Sequence, residues 1–316
     1  MNLIIKFLIY ILNGLLLILT VASAYGGMVA PHISAFPAIL ATAFPYIAIV
    51  TIIWTVVCFF LFRKMAIVNI VALLACYGPL RSNFPINFTS SADQYDFSLM
   101  SYNVYELRDY SDPSLTMGDY SPTIEYIIKR KPDIVAVQEL MSYHLNSLPS
   151  EQRDSIYALY PYRELFDNGQ SILSRWPLNE ITGSRYNSFA IKAFKVKMPD
   201  DREITIVNLH LRPLGLTAAD KELYHDITEG HSHDIDSVRH TLLHKMSMAF
   251  KDREEEARMV REFVETLSGP VIVCGDFNDV PLCYAQRLIM GDSLIDAYRH
   301  AANFPAITFR ANRFYF

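Results

Sequence analysis

The chain has 316 residues, of which 51% are hydrophobic and 19% are charged, and its formal net charge at pH 7 is −5. Its four cysteines have neither metal-ligand spacing nor the density of a disulfide framework. This composition excludes a disulfide-stapled scaffold and argues against a strongly basic nucleic-acid clamp, although a local basic groove would still permit a nuclease.

The charged residues divide the sequence near residue 92. All 33 acidic residues follow that point, and the only bases before it are Lys6, Arg63, Lys64 and Arg81. Residues 7–62 contain no charged residue, which is enough for two membrane crossings of ~20 residues each. Residues 26–32 predict the turn between them. A cleaved signal peptide ending near Ala24 is the alternative, but the second apolar run favours a multi-span anchor.

The positive charges predict the orientation of this anchor. Lys6 and the Arg63-Lys64 pair flank opposite ends of a two-span hairpin, so they share one side, which the positive-inside rule makes cytoplasmic. A third apolar run, Met65 to Leu80, covers ~24 Å as a helix. We expect it to cross, so that the protein is an integral membrane protein with its remaining chain outside the cytoplasm. A re-entrant third segment would leave that chain inside.

The pattern of the remaining chain predicts alternating strands and helices. A polar linker at 82–95 separates the anchor, 1–81, from a domain at 96–316. Ser121 and Pro122 predict a helix start, with Ser as the N-cap and Pro at the first helical position. Phe194 to Lys197 alternates as a half-exposed strand does. The apolar spacing predicts a later helix from Glu254 to Leu267.

Polar side chains follow four apolar strands at the point where each strand ends. Strand ends are where α/β folds assemble their sites, so a shared cleft is expected. Turn chemistry alone would explain any single case, but not all four. The residues concerned are Asn103, Glu139, Asn208 with His210, and Asp276 with Asn278.

The order of these motifs resembles the endonuclease/exonuclease/phosphatase superfamily, the fold of deoxyribonuclease I. The resemblance rests on Gly275-Asp276-Phe277-Asn278, an upstream Gln138-Glu139, Asn208-x-His210 and the Ser174-Arg175-x-Pro177 turn, and it covers residues 96–316. It implies an α/β fold, a four-layered sandwich of two β-sheets between helices, preceded here by the transmembrane region. It also implies hydrolysis of phosphate esters with Mg²⁺ or Mn²⁺.

Each matching residue has an expected role. Glu139 and Asn103 would hold the metal, because Mg²⁺ prefers oxygen ligands. Asp276 would orient and deprotonate a water, Asn278 would fix the water or the phosphate, and His210 would donate to a phosphate oxygen. Two further residues are assigned to substrate binding: Asn208 and Arg253, the latter being either a phosphate contact or a surface charge. Asp279 is expected to cap the following turn.

The C-terminal part departs from the family pattern. Asp296 resembles the family aspartate that orients a C-terminal catalytic histidine, but the sequence stops at Phe316, where the strand bearing that histidine should begin. We therefore expect a domain without its last strand, from a truncated chain or from loss of the strand. The alternative to an enzyme is a membrane-tethered binding module that keeps the fold without turnover.

Two questions stay open in the sequence. The His225–His244 segment leaves three alternatives: a zinc site, although its spacing fits no compact zinc template, a mobile lid over the site, or a plain solvated loop, which is favoured. The substrate is nucleic acid, a phospholipid or a small phosphate ester. Taken together, the residues predict a membrane-anchored, metal-dependent phosphoesterase, with phosphodiesterase activity favoured, whose partners are its substrate and the lipid bilayer. No protein partner is implied.

Overall fold

The computed structural model describes residues 3–88, 95–108, 112, 114–116, 118–183, 186, 191–215 and 235–308, with the backbone alone for 235–240. Its contacts divide the chain into two compact units, and each is treated separately below. The first unit contains residues 1–90, 213–258 and 279–316, and the second contains 91–212 and 259–278. The predicted linear division at 82–95 stays a prediction.

The N-terminal part of the first unit is helical and apolar. Two of its helices are long and apolar enough to cross a membrane, and a third crossing is possible if the last two, bent by 69°, form one broken span. The bend falls within the predicted third run, at Cys76. The helices are α1 (Leu3–Tyr25), α2 (Phe36–Thr42), α3 (Phe44–Leu61), α4 (Arg63–Ala75) and α5 (Tyr77–Asn83).

Buried polar side chains join α1 to α3. Trp54 Nε1 donates to Asn13 Oδ1 at 2.9 Å, and the hydroxyls of Thr20 and Thr51 lie 2.7 Å apart. In an apolar surrounding such bonds specify which helix faces meet, because the alternative is an unsatisfied polar group. The pairing supports an antiparallel hairpin of the two long helices.

The second unit contains two four-stranded sheets among the described residues. The first sheet has the order β1-β2-β4-β3 and the second β5-β6-β7-β8. Within them β1 pairs with β2 and β7 with β8 in parallel, whereas the other neighbours are antiparallel. The strands are β1 (Leu99–Asn103), β2 (Ile134–Gln138), β3 (Tyr162–Glu164), β4 (Ser171–Ser174), β5 (Leu178–Glu180), β6 (Ile191–Lys197), β7 (Glu203–His210) and β8 (Val271–Asp276).

Each face of the first sheet packs on a different apolar cluster. One cluster joins its Val135, Val137 and Leu173 to helices α6 (Pro122–Arg130), α7 (Ser142–Ser147) and α8 (Ser150–Leu159). The other cluster joins Ile134 and Ile172 to Phe194 and Ile206 of the second sheet. The two sheets therefore pack face to face, and helices cover the outside. The predicted α/β class, with two sheets between helices, is confirmed.

The local predictions for these elements are largely confirmed. The helix α6 starts at Pro122, and Ser121 Oγ accepts the Ile124 N–H at 3.4 Å. In β6 the burial alternates from Phe194 to Lys197. The long helix α9 is an exception, because it begins at Ile235 rather than Glu254 and ends at Thr266. Residues 243–253 contain no Gly or Pro that would interrupt a helix, so the helix continues on the N-terminal side of Glu254.

Two short helices follow β8 in the chain and belong to the first unit. These are α10 (Tyr284–Met290) and α11 (Ala297–Ala301). The predicted His225–His244 segment lies mostly outside the described residues, and of its histidine side chains only His244, which is exposed, is described. Its three possible roles stay predictions.

Candidate active site

The site is built at the carboxyl ends of two parallel strand pairs, one in each sheet. In the first sheet Asn103 at the end of β1 is in register with Gln138, and Glu139 follows directly. In the second sheet His210 at the end of β7 is in register with Asp276 of β8. The carboxyl ends of two parallel strands lie at the same edge of their sheet. Asn103 of the first sheet contacts Asp276 of the second, so these two edges come together.

The Asn103 amide links the two carboxylates of this edge. Its Nδ2 donates to Glu139 Oε1 at 2.9 Å and to Asp276 Oδ2 at 3.0 Å. Its Oδ1 accepts the Tyr105 N–H at 3.0 Å. The amide nitrogen, and not the predicted oxygen, thus faces the carboxylates. To ligate a metal, the Asn103 oxygen would have to exchange places with the nitrogen by rotation of the amide.

His210 and Asn278 complete this arrangement. His210 Nε2 lies 3.6 Å from Glu139 Oε1, and the two side chains are 21% and 28% exposed. Asp276 Oδ1 accepts the Asn278 N–H at 2.8 Å, while Asn278 Nδ2 donates to the Leu211 carbonyl at 2.8 Å. The structure therefore brings Asn103, Glu139, His210 and Asp276 together, with Asn278 held beside them and the cluster partly open to solvent.

The backbone at two of these residues adopts the left-handed region. Glu139 has φ 60° and Asn278 has φ 50°. For residues with a side chain this conformation is uncommon and is found where packing over-determines it, often at functional sites. At Glu139 the packing comes from Gly169, where an added Cβ would lie 3.0 Å from Glu139 Cα. Gly169 was not predicted as a residue that supports the site. Nothing in the strand that follows it, which ends in Ser-Arg-x-Pro, indicates a contact with Glu139.

Asn208 does not lie on an exposed surface, in contrast to its expected role in substrate binding. It is completely buried, accepts from Gln138 Nε2 at 2.6 Å, and donates to the carbonyls of Val137 and Ser171, both at 3.0 Å. Its amide therefore joins β7 to β2 and β4 across the two sheets. In this conformation Asn208 supports the site from within the core.

Arg253 also differs from the predicted surface or phosphate contact, and it lies within α9 rather than at its start. Its side chain is 1% exposed and its Nη1 lies 2.8 Å from Asp279 Oδ2, which is 3% exposed. Burial raises the pKa of the Asp279 carboxyl, and the Arg253 charge opposes that rise. Asp279 Oδ1 also accepts the Val280 N–H at 2.8 Å. Beyond the predicted cap, Asp279 thus belongs to a buried ion pair of the first unit.

Asp296 caps a helix of the first unit. Its Oδ1 accepts the Arg299 N–H at 3.2 Å at the start of α11, and its Oδ2 accepts from Gln286 Nε2 at 3.4 Å. Its catalytic role stays a prediction.

The donor set suits a hard divalent cation. Within the described ranges, no three His, Cys, Asp or Glu side chains are grouped as a metal site would require. Mg²⁺, however, is commonly held by one or two carboxylates, with water and substrate oxygens completing its shell. Glu139 and Asp276 supply such a pair, within hydrogen-bonding distance of one nitrogen. These oxygens fit Mg²⁺ or Mn²⁺ better than thiolate-preferring metals.

A family model described as Endonuclease/Exonuclease/phosphatase family matches residues 100–315. The chain belongs to this family. The matched range includes every residue of the cluster at the strand ends, and the resemblance inferred from the motifs is confirmed. Members of the family hydrolyse phosphate esters and generally depend on a divalent metal. A second model, Domain of unknown function (DUF8431), matches residues 6–83. No curated protein matches the chain.

The solved structures that are similar to this chain include the following two. One is an endonuclease/exonuclease/phosphatase from Beutenbergia cavernae DSM 12333, with a TM-score of 0.40 and 16% identity over 65% of this chain and 56% of that one. The other is ANGEL2, a 2',3'-cyclic phosphatase, with a TM-score of 0.31 and 18% identity over 59% of this chain and 54% of that one. The chain thus spans a little over half the length of each.

Proposed function

We propose that this protein is a membrane-anchored phosphodiesterase that uses Mg²⁺ or Mn²⁺. The observation that carries the proposal is the Asn103 amide, which holds the Glu139 and Asp276 carboxylates side by side at a partly open edge. Two acids kept together in this way repel each other, and a divalent cation would relieve that repulsion. Family membership supports a phosphate ester as the substrate class.

Each side chain then has a task that its position permits. Glu139 would hold the metal, with Asp276 beside it, and the bound ion would neutralise charge on a phosphate oxygen. The Asp276 carboxylate would orient a water and accept its proton. His210, on the neighbouring strand end, would donate to a phosphate oxygen as negative charge develops. Asn278 holds Asp276 in place through its backbone N–H.

The metal assignment is tested with the full chain in detergent and bis(p-nitrophenyl) phosphate as substrate. We expect hydrolysis to require Mg²⁺ or Mn²⁺, to stop with chelator and to return when the metal is restored. Glu139→Gln should raise the metal concentration for half-maximal activity by about tenfold or more, because a neutral amide is a weaker ligand. Glu151→Gln, which changes an exposed acid of α8, is the matched control. Metal-independent turnover would overturn the proposal.

We also propose that the protein crosses the membrane three times, with the α/β part outside the cytoplasm. Support comes from contacts inside the first unit. His32, between α1 and α2, donates its backbone N–H to Glu254 Oε2 of α9 at 2.9 Å, and Ala35 and Ala38 pack on Phe250. The loop between the two long helices and α9 therefore share a side. Lys6 and the Arg63-Lys64 pair lie at the opposite helix ends, which the positive-inside rule places in the cytoplasm.

The topology is tested with alkaline phosphatase fused after Asp93. That reporter folds only where disulfides form, so we expect the fusion to be active. A reporter that fluoresces only in the cytoplasm, fused at the same position, should not fluoresce. Reversing the charges at Arg63 and Lys64 should lower the phosphatase signal, since it removes the cytoplasmic anchor. An inactive phosphatase with a bright fluorescent fusion would place the α/β part inside the cytoplasm and overturn the topology, without bearing on the hydrolase proposal.

A further inference from the structure

A pocket in the first unit shares no lining residue with the cluster of Asn103, Glu139, His210 and Asp276. It has a volume of about 190 Å³ and combines apolar walls with charged or polar groups. Its lining consists of Leu282, Met290, Leu294, Ile295, Asp296, Arg299 and His300. A cavity of this composition suits a ligand that has both an apolar body and an anionic group.

The polar lining of this pocket consists of the side chains of Asp296, Arg299 and His300. Arg299 Nε is buried and has no hydrogen-bond partner among the described residues. Burial chiefly lowers the pKa of the nearby Arg287 of α10; the Arg299 charge acts in the same direction, whereas Cys283 and Tyr25 oppose it. The one acid, Asp296, already accepts from Gln286 and from the Arg299 backbone. An anion beside Arg299 would satisfy its buried nitrogen.

Hydrogen bonds join the residues around this pocket to the segment that follows the last apolar helix. Asn87, four residues after the end of α5, donates through Nδ2 to the carbonyls of Arg299 at 3.2 Å and Ala302 at 2.6 Å. Phe304 donates its N–H to the Pro85 carbonyl at 2.9 Å. Four residues span at most ~14 Å, so Asn87, which contacts α11, lies within that reach of the last apolar helix.

Exposed apolar side chains surround this attachment. Ile295 on the pocket wall is 79% exposed and Phe304 is 75% exposed. Large apolar groups that stay exposed beside a membrane-spanning segment are typical of the lipid interface. Those near α11 and the chain exit are Ile86, Phe88, Ile295, Phe304 and Ile307.

We propose that this pocket binds the headgroup phosphate of an anionic phospholipid, with Arg299 and His300 at the phosphate and Leu294 and Ile295 against the glycerol and upper acyl chain. The shared chemistry is a phosphate group, and the apolar wall together with the nearby membrane exit favours the lipid over a free phosphate ion. The proposal rests on membrane anchoring and not on hydrolysis, so a catalytically inactive protein would still bind.

The test uses the full chain in detergent and native mass spectrometry with added dioleoyl-phosphatidylglycerol or dioleoyl-phosphatidylcholine. We expect one phosphatidylglycerol to be retained in preference to phosphatidylcholine. Arg299→Gln should weaken that retention about tenfold, because one charge-assisted contact is lost, and Arg299→Lys should keep part of it. Lys251→Gln, an exposed charge of α9 in the same unit, is the matched control and should behave as the unchanged protein does.

Two further arms separate the lipid from free phosphate and guard against misfolding. Inorganic phosphate at the same concentration should not displace phosphatidylglycerol, and displacement would overturn the lipid assignment. Ile295→Asn and His300→Gln change exposed side chains and should fold, so weakened retention in both supports the pocket even where Arg299→Gln does not fold. Equal retention of both lipids, or retention that none of the three variants changes, would overturn the proposal.

Discussion

Asp276 and Asp279 stand three positions apart in one motif, yet they have opposite surroundings. Asp276 lies in the second unit among side chains that remain partly open, bonded to Asn103 Nδ2 and to the Asn278 N–H. Asp279 lies in the first unit, 3% exposed, against Arg253. The Asp276 carboxylate has uncharged hydrogen-bond donors and remains accessible to solvent. The charge of the Asp279 carboxylate is compensated by Arg253 in the core.

The difference shows that the surroundings of an acidic side chain decide whether it can take part in catalysis or instead stabilises the fold. A carboxylate whose hydrogen-bond donors are neutral and that remains open to solvent can still bind a cation or accept a proton. A carboxylate buried against a guanidinium is already compensated, and removing either partner leaves a buried charge alone. Variants of the two acids should therefore separate turnover from folding.

The largest effect is expected for Asp276→Asn. If Asp276 is the general base, the kcat for bis(p-nitrophenyl) phosphate should fall by about 10²- to 10⁴-fold. The thermal unfolding temperature should change little, because the amide can still accept from Asn103 and Asn278. Asp154→Asn, which alters an acid that is 73% exposed, serves as the control. A kcat within threefold of the unchanged protein would remove Asp276 from the proposed mechanism.

Asp279→Ala should act on stability. Breaking a buried ion pair from one side costs about 3–5 kcal/mol in the free energy of unfolding, measurable by thermal unfolding of the full chain in detergent. Replacing both partners, Arg253→Met with Asp279→Leu, should recover most of that loss. Glu255→Ala removes a partner from an exposed pair with Arg258 and should cost ~0–1 kcal/mol. A loss for Asp279→Ala no greater than this control would contradict a stabilising buried pair.

Asn208→Ala should have a smaller effect on stability. It removes the partner that Asn208 supplies to the carbonyls of Val137 and Ser171, whereas Gln138 Nε2 keeps the Ala136 carbonyl at 3.3 Å. A buried polar group left unsatisfied costs about 1–3 kcal/mol. Asn179→Ala on the edge strand β5, where the side chain is exposed, should be nearly neutral. If Asn208 instead contacts substrate directly, KM would rise while the unfolding temperature stayed the same, and that result would restore its predicted role.

The smallest effect concerns pH and His144 of α7. Burial lowers the pKa of His144 below its ordinary 6.5, although nearby Glu106 opposes this. As the pH falls below 6.5, the unfolded chain takes up the proton first, so stability should decline through that window by at most ~1.4 kcal/mol per pH unit. His144→Gln should flatten this part of the stability profile. An identical acid slope in both proteins would show that His144 does not cause it.

Much of the candidate site could be predicted because its signals are local. A strand that ends on a polar residue places that residue at a sheet edge, and this logic located Asn103, Glu139, His210 and Asp276. The burial of Asn208, only two positions before His210, could not be predicted in this way, because it depends on Gln138 in the other sheet. The burial of Arg253 could not be predicted either, because its partner, Asp279, lies beyond β8 in the sequence.

The sequence by itself determined the apolar N-terminal helices, the strands that end on acids and amides, and the helix that begins at Pro122. These follow from hydrophobic period, charge and capping among neighbouring residues. Only the tertiary structure decided that Asn208 ties the two sheets, that Gly169 supports the left-handed backbone of Glu139, and that Asp279 is neutralised by Arg253. Each of these depends on chain segments distant in sequence, and burial changes a polar side chain from a reactive group into a structural one.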